Sequence, residues 1–536
     1  MPQTYQTPGV YIQELNAFPN SIVEVATAIP AFIGYTPQAS YNGRSYTNQP
    51  VMLDSFQDFL AYFAKKNPGN GGPPTVAPYK NQCQPVYYCT AVAKTETSGD
   101  LEIAGTQYNV EPDPSTIYYL YNCIKLFYQN GGGRCCVISV GSYGKASGKP
   151  RVKSEALINS NVKLTDLQGG LDALTQEQEP TLIVIPDALL LKADENGTLM
   201  KSVLEHCHLV QSRVGLFDIQ GGERPNPVTW SKDNIDPFRT ATGMNHLNYG
   251  IAYYPFLNTT VVDDDGIDFM NLGPPGALTT LLPSDSAVVK LVTLAKSAAD
   301  ATGKPSTTSP AKNDTQRPDQ IEAALRVASK TYMQIHDVVL RKINILPPSA
   351  AMAGVYTMVD NDSGVWVAPA NVTLTAVTDV TLDVTDITQA GLNVDAATGK
   401  SINAIRVFPG KGAVVWGART LDGNSQDWRY VNVRRTLIMI EQSMKLGANA
   451  YVFAPNESNT WSLITSMLNN FLTNLWKRGA LVGASPAEAF SVSVGLGKTM
   501  TAQDILDGVM NISVKVAVSH PAEFIVITIQ QQMQTS

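Results

Sequence analysis

The sequence predicts a multidomain chain of mixed α/β and α+β units with strand-forming ends, on three observations. Its 536 residues are several times a typical domain and call for roughly two to four folded units. From about 116 to 260, helix-like stretches alternate with β-rich ones, the rhythm of an α/β layer. Both ends carry β-branched, alternating runs, and residues 1 to 25 lack the apolar bulk for a core of their own.

Taken in order, Thr7-Pro8-Gly9-Val10-Tyr11-Ile12 and Ser21-Ile22-Val23-Glu24-Val25 read as strand, bend, strand. The crowded glycines and prolines of Pro68-Gly69-Asn70-Gly71-Gly72-Pro73-Pro74 mark a loop within an insertion. Ile117 to Tyr128 and Leu204 to Gln211 read as helices. Cys136 to Val140, Thr181 to Ile185 and Val214 to Ile219 read as strands. Residues 297 to 319, rich in Ser, Thr and Pro, form a polar break. Ile321, Leu325, Ala328, Tyr332, Ile335 and Val339 then place one apolar stripe on a single helix that stops before Pro347-Pro348. Residues 372 to 386 alternate with period two and predict short strands. A helix over 431 to 446 turns Val433, Leu437, Ile440 and Met444 inward. A second, over 458 to 478, carries Trp461, Ile464, Leu468, Phe471 and Leu475 on one stripe, with Lys477 and Arg478 at its C-terminal end and Gly479 as its stop. The chain closes in β, with Ile512, Val514, Val516 and Val518 on one face and a further run from Glu523 to Ile529.

Composition narrows the function classes. A formal charge of -7 with scattered cations opposes the positive stripe that a phosphate backbone requires, so nucleic acid is not an expected partner. No apolar stretch approaches the ~20 residues that cross a bilayer. The opening Met1-Pro2-Gln3-Thr4-Tyr5 has neither the basic nor the apolar segment of an export signal, which implies assembly in the cytoplasm. The six cysteines are expected as reduced thiols.

Motifs for chemistry fail on spacing. Gly495-Leu496-Gly497-Lys498-Thr499 lacks the earlier glycine of a phosphate loop, because Val492 stands in its place. Gly131-Gly132-Gly133 follows a helix and precedes a strand, the reverse of a dinucleotide turn, and reads as a cap. Asp263-Asp264-Asp265-Gly266 would put Val261 and Leu272 at ligand positions of a calcium loop and reads as solvated. His206, Cys207 and His208 are neighbours that cannot share a helix face. No nucleophile-and-base set, cofactor site or metal site is nominated, and the chain is not expected to be an enzyme.

Three blocks resemble the contractile tail sheath family. The first is Thr7-Pro8-Gly9-Val10-Tyr11-Ile12-Gln13-Glu14 with Ala28-Ile29-Pro30-Ala31-Phe32-Ile33-Gly34-Tyr35-Thr36. The second runs from Pro347-Pro348-Ser349-Ala350 through Gly364-Val365-Trp366-Val367-Ala368-Pro369 to Arg406-Val407-Phe408-Pro409-Gly410-Lys411-Gly412 and Trp416-Gly417-Ala418-Arg419. The third holds Val433-Arg434-Arg435, Phe453-Ala454-Pro455-Asn456-Glu457, Trp476-Lys477-Arg478-Gly479 and Pro521-Ala522-Glu523-Phe524. The opening, with Phe18-Pro19-Asn20-Ser21-Ile22, is most similar to sheaths of extracellular contractile injection systems.

The resemblance implies a structural subunit that polymerises as stacked hexameric rings around an inner tube and contracts, using stored conformational energy and no cofactor. It implies as partners further copies of the chain, the tube protein, baseplate and terminal cap proteins, and in some machines sister sheath proteins, with no direct membrane insertion. The particle is expected to assemble in the cytoplasm and act after release. It also implies a layout: an N-terminal extended β-arm at 1–26, an α/β region at 27–345 with outward-facing insertions near 65–115 and 261–319, the family's C-terminal sheath core at 346–520, and a C-terminal β-arm at 521–536. Val10, Tyr11, Ile12, Ile22, Val23, Val25, Phe524, Ile525, Val526, Ile527 and Ile529 are the candidate strands exchanged between subunits. Pro8, Gly9, Pro19 and Pro521 are candidate hinges, ordinary strand punctuation being the alternative. Glu457, Lys477 and Arg478 are candidate tube-facing groups on the helix 458–478, although solvated helix ends explain them equally well. Two competing classes stay open: a nucleotide-dependent hydrolase resting on Lys498-Thr499 and the acidic cluster at 263–265, and a shell protein that binds cell surfaces through 261–319.

Overall fold

The computed structural model describes residues 22–66, 75–76, 83–92, 99–273, 275–282, 285–302 and 318–524. These residues form two compact units: 26–435, and 436–524 together with 22–25. In chain order the larger unit contains β1 (Pro30–Thr36), α1 (Leu120–Gln129), β2 (Cys135–Ser142), β3 (Leu182–Val184), α2 (Ala193–Val210), β4 (Val214–Phe217), β5 (Gly250–Tyr254), α3 (Pro318–Ala328), α4 (Lys330–Ile343), α5 (Ser349–Asp362) and β6 (Asn403–Phe408). The helix α6 (Val431–Ala448) begins in it and continues past the boundary.

Apolar runs too continuous for a half-wet sheet give its centre. Pro30 to Thr36 are buried at every position, as are Leu182 to Val184 and Val214 to Phe217, which is the signature of parallel strands covered on both faces. They lie in an eight-stranded sheet ordered Gly412–Val415, β6, β5, β4, β3, β1, β2, Val51–Leu53. Every neighbouring pair from β2 to β6 is parallel, and the two outermost strands are antiparallel. The chain starts at β1, steps to β2, then returns past β1 to β3 and continues outward. This reversal creates a topological switch point between β1 and β3.

The unit extends past the expected division at 345/346. The strands β6 and Gly412–Val415 complete the same sheet as β1, so residues 346–435 share its core and the compact boundary falls at 435/436. Arg434 and Arg435 root α6 in the larger unit. The Arg435 guanidinium donates to both Asp360 oxygens at 2.9 and 2.5 Å, and Arg434 donates to the Tyr249 hydroxyl at 2.6 Å.

The two segments expected as separate insertions share one hydrophobic core. Tyr87, Leu101 and Val110 from a three-stranded sheet pack in it with Leu278, Val288 and Val292, and with Ile321, Tyr332 and Val339 from α3 and α4. The single helix expected to carry the stripe from Ile321 to Val339 is broken at Ser329. Its hydroxyl accepts from the Tyr332 amide at 3.2 Å and starts α4 afresh, offering the backbone a partner that competes with continued helix. The expected polar break begins later than 297, because the helix Ser286–Thr302 runs through its first residues. Of the strands expected over 372–386, only Val377–Val380 forms, followed by a helix that Thr385 caps.

The smaller unit is built on the two amphipathic patterns read from sequence. The helix α7 (Ser458–Lys477) buries Ile464, Leu468, Phe471 and Leu475 and ends at Gly479, whose φ of 86° supplies the left-handed stop. Trp461 lies at the edge of that stripe, half-buried, its indole N–H donating to Asn456 at 2.7 Å. Against α7 pack β7 (Phe490–Val494) and β8 (Ile512–Val516), an antiparallel pair. The alternation of β8 turns Ile512 and Val514 toward Ile464, Met467 and Leu468.

Candidate functional site

Doubly wound sheets hold ligands where strand order reverses, outside the carboxyl ends of the strands and at a helix N-terminus. In the larger unit that place is filled by the protein itself. Asp187, in the turn after β3, is fully buried and accepts from the Tyr35 amide at 2.8 Å and from the Tyr119 amide, at the start of α1, at 2.7 Å. A Cβ on Gly34 would stand 2.6 Å from the Asp187 carboxylate, so glycine is what lets the strand close over it. One strand further, Asp218 accepts from the amide and hydroxyl of Ser349 at 2.8 and 2.5 Å and closes the N-terminus of α5. Burial pushes the Asp187 carboxyl up to about 6 and that of Asp218 up to about 7, against the pull of these donors.

Beside this corner lie two cavities of about 210 and 230 Å³ that share Tyr119, Arg151, Leu157 and Glu223 as walls. Their cations are committed to carboxylates: Arg151 to Glu223 at 3.2 Å, Arg224 to Glu111 at 2.7 Å and Lys342 to Asp100 at 2.8 Å. An incoming anion would have to break one of these pairs.

The rejected motifs occupy structural positions. The amides of Lys498, Thr499 and Met500 all donate to the Gly495 carbonyl, so the turn has no N–H cradle to offer a phosphate. Gly131, at φ 89°, follows the end of α1 as the expected cap. His206 faces Arg213 at 3.0 Å, and burial together with that guanidinium pushes it down to about 4. Cys207 is core, its thiol pushed up to about 12 by burial, and His208 stacks on His246. All six cysteines are free thiols. The acidic loop is solvated as expected, with Asp263, Asp264 and Asp265 exposed, and Asp264 also pairs with Arg326. Among the described residues no cluster of His, Cys, Asp or Glu has the form of a metal site, and no helix is long and apolar enough to cross a membrane.

The smaller unit is chemically the opposite. Its sheet has two strands, in the register Phe490↔Val516 to Val494↔Ile512, and no third strand among the described residues pairs with either edge. The Ala517 amide donates to the Ala489 carbonyl in the same register. Antiparallel alternation therefore directs the amides and carbonyls of Ile512, Val514 and Val516 to the outer edge of β8, and those of Val492 and Val494 to the outer edge of β7. Such an edge is a template for another strand.

The candidate residues divide around it. Val10, Tyr11, Ile12, Pro8, Gly9, Pro19, Ile525, Val526, Ile527 and Ile529 lie outside the described residues. Phe524 is exposed, and Pro521 lies in an irregular stretch after the ladder ends. Val23 is 78% exposed, but Ile22 and Val25 are held by their own chain. Ile22 packs against the core of α7, and the Val25 amide donates to Ser443 on α6 at 3.0 Å. Within the described chain residues 22–25 form no strand of their own, and Ile22 and Val25 contact α6 and α7 of the same subunit. Arg478 pairs with Glu24. Glu457 and Lys477 sit exposed at the two ends of α7.

Two features escaped the reading of residues. The outer face of α7, formed by Ser458, Asn459, Ser462, Leu463, Ser466, Asn470 and Asn474, is uncharged up to Lys477, whereas a solvated helix face is ordinarily charged. That signal was present in the composition of 458–477. Phe453, just before α7, is fully exposed at φ 68°, a conformation that bulky side chains rarely adopt. No local signal announced it.

A family model described as the phage tail sheath C-terminal domain matches residues 424–532. The tail sheath protein of Burkholderia phage BcepMu is 26% identical over 155 residues, 28% of this chain and 32% of that protein, so the chain matches about a third of that relative's length. Among solved structures, the anti-feeding prophage helical sheath in its contracted state is 25% identical, covering 99% of this chain and 100% of that one at a TM-score of 0.56. A chain of the six-fold symmetrised anti-feeding prophage baseplate is likewise 25% identical over 99% and 100%, at a TM-score of 0.55.

Proposed function

The chain belongs to the sheath family of phage tails and contractile injection systems, and we propose on that premise that it is a structural subunit of a contractile sheath. In this reading copies polymerise as stacked hexameric rings around an inner tube, end at baseplate and cap proteins, and shorten to drive the tube through a target envelope. The machine assembles in the cytoplasm and is released with its stored conformational energy. No catalytic step or cofactor enters the cycle.

One observation carries the reading: the two-stranded sheet of the smaller unit, open at both edges among the described residues. An isolated pair of strands is marginal in water. A strand from a neighbouring copy adds main-chain hydrogen bonds of ~1 kcal/mol net each, and repetition around every ring multiplies them. Contacts that do not close on themselves continue as a helical filament, which suits a sheath. The uncharged outer face of α7 fits burial against the tube, because covering hydroxyls and amides costs far less than covering unpaired charges. The self-capped corner of the larger unit fits a scaffold that swings as a rigid body.

Truncation tests the reading. The full chain should give long sheaths in negative-stain micrographs, and the chain lacking 1–21 and 525–536 should give none while keeping its circular dichroism. Long sheaths from the truncated chain would remove the strand-exchange account.

A further inference from the structure

Residues 22–25 meet the smaller unit at three separate points. The Ile22 side chain enters a notch over Gly447 in the last turn of α6, where a Cβ would stand 2.7 Å from Ile22 Cγ1. The Val25 amide donates to Ser443 Oγ, one turn earlier on the same helix, and Ser443 is fully buried. Between them Glu24 pairs with Arg478, the residue that ends α7. Val23 faces outward, and Glu24 is exposed as well.

Gly447 lies in the right-handed helix, and nothing about its backbone requires glycine. Alanine there would ordinarily strengthen α6. What the position accommodates is the Ile22 side chain.

We infer that Ile22, Glu24 and Val25 form a clasp that roots the N-terminal segment on its own α6 and α7, with Gly447 as the residue that decides whether the segment seats. The inference rests on the sheath reading only for its consequence: tension on the N-terminal segment is delivered to α6 and α7 of the same subunit. The apolar contact sets position, and the buried Ser443 hydroxyl fixes the direction in which the chain departs. The ion pair is half-exposed and contributes least.

Hydrogen exchange on the full chain tests this. Gly447→Ala should accelerate exchange of the Val25 amide at least tenfold and leave the amides of α6 and α7 as protected as before. Ile22→Gly, which leaves α6 untouched, should have the same effect on Val25. Adding Ile22→Ala to Gly447→Ala exchanges volume across the notch and should restore protection. Unchanged Val25 exchange in both single variants, or loss of protection throughout α6 and α7 in Gly447→Ala, would overturn the clasp. Filament formation is scored on the same samples. Should Val25 be released while sheaths grow at the normal rate, the clasp stands and the N-terminal segment is not an interchain arm.

Discussion

The larger unit closes the carboxyl ends of its central strands with its own side chains, and the sheet of the smaller unit leaves its edges open. At the carboxyl ends of β3 and β4, Asp187 and Asp218 spend themselves on the helix N-termini that a ligand would otherwise approach. In the smaller unit β7 and β8 carry outward-directed amides and carbonyls with no third strand among the described residues, beside a helix face without charge. The fold with the familiar ligand crevice is thus the scaffold. Interaction capacity lies in the small sheet, which cannot satisfy itself.

The sharpest way to break this comparison is to unsettle the closed corner. Asp218→Ala leaves the Ser349 amide and hydroxyl buried without an acceptor and should destabilise the larger unit by about 2–3 kcal/mol, read from the denaturant midpoint. Sheaths should still form under mild conditions. Loss of assembly without loss of stability would assign Asp218 to an interface.

An effect of comparable size is expected from pH. The folded carboxyls of Asp187 and Asp218 titrate near 6 and 7, above the ordinary value of about 4. The folded state therefore binds more protons than the unfolded state between these values. The resulting stability is complete below about pH 4 and is lost as pH rises through 6 and 7. The unfolding free energy of the larger unit should rise on going from pH 8 to pH 5, by on the order of 4 kcal/mol. The rise should shrink in Asp187→Asn and Asp218→Asn. A flat profile in the parent chain would show that the two carboxyls stay ionised.

The least effect on stability, and the greatest on assembly, should come from the open side. Ser466→Asp or Asn470→Asp on the outer face of α7 should shift stability by less than about 0.5 kcal/mol, as surface changes usually do. Each should reduce the fraction of sheaths that retain a tube in micrographs. Equal retention by the variants would free α7 from that role.

The legible parts were those set by local rules. The stripe of α7 with its glycine stop and the alternation of β8 follow from side-chain spacing alone. The buried strands β2, β3 and β4 fall in stretches read as strands, whereas β1 was not read as one. The break at Ser329 was hidden because the apolar stripe stays in phase on both sides of the cap. Asp187 and Asp218 were not singled out from the sequence, since the amides they close lie 152, 68 and 131 residues away. Distance along the chain likewise concealed the core shared by the strands at 87–112 and the helices after 275, and the return of residues 346–435 to the first sheet. The contacts of Ile22 and Val25 with their own chain were hidden for a related reason. Their β-branched pattern fits a strand, yet their partners on α6 and α7 are more than 400 residues on.

A helical reconstruction of the assembled full chain measures the central claim directly. A third strand from another subunit should run along the outer edge of β7 or β8, bonded to the main chain of Val492 and Val494 or of Ile512, Val514 and Val516. An assembled sheath in which that sheet still has two strands, with neighbours meeting only through side chains, would contradict the account.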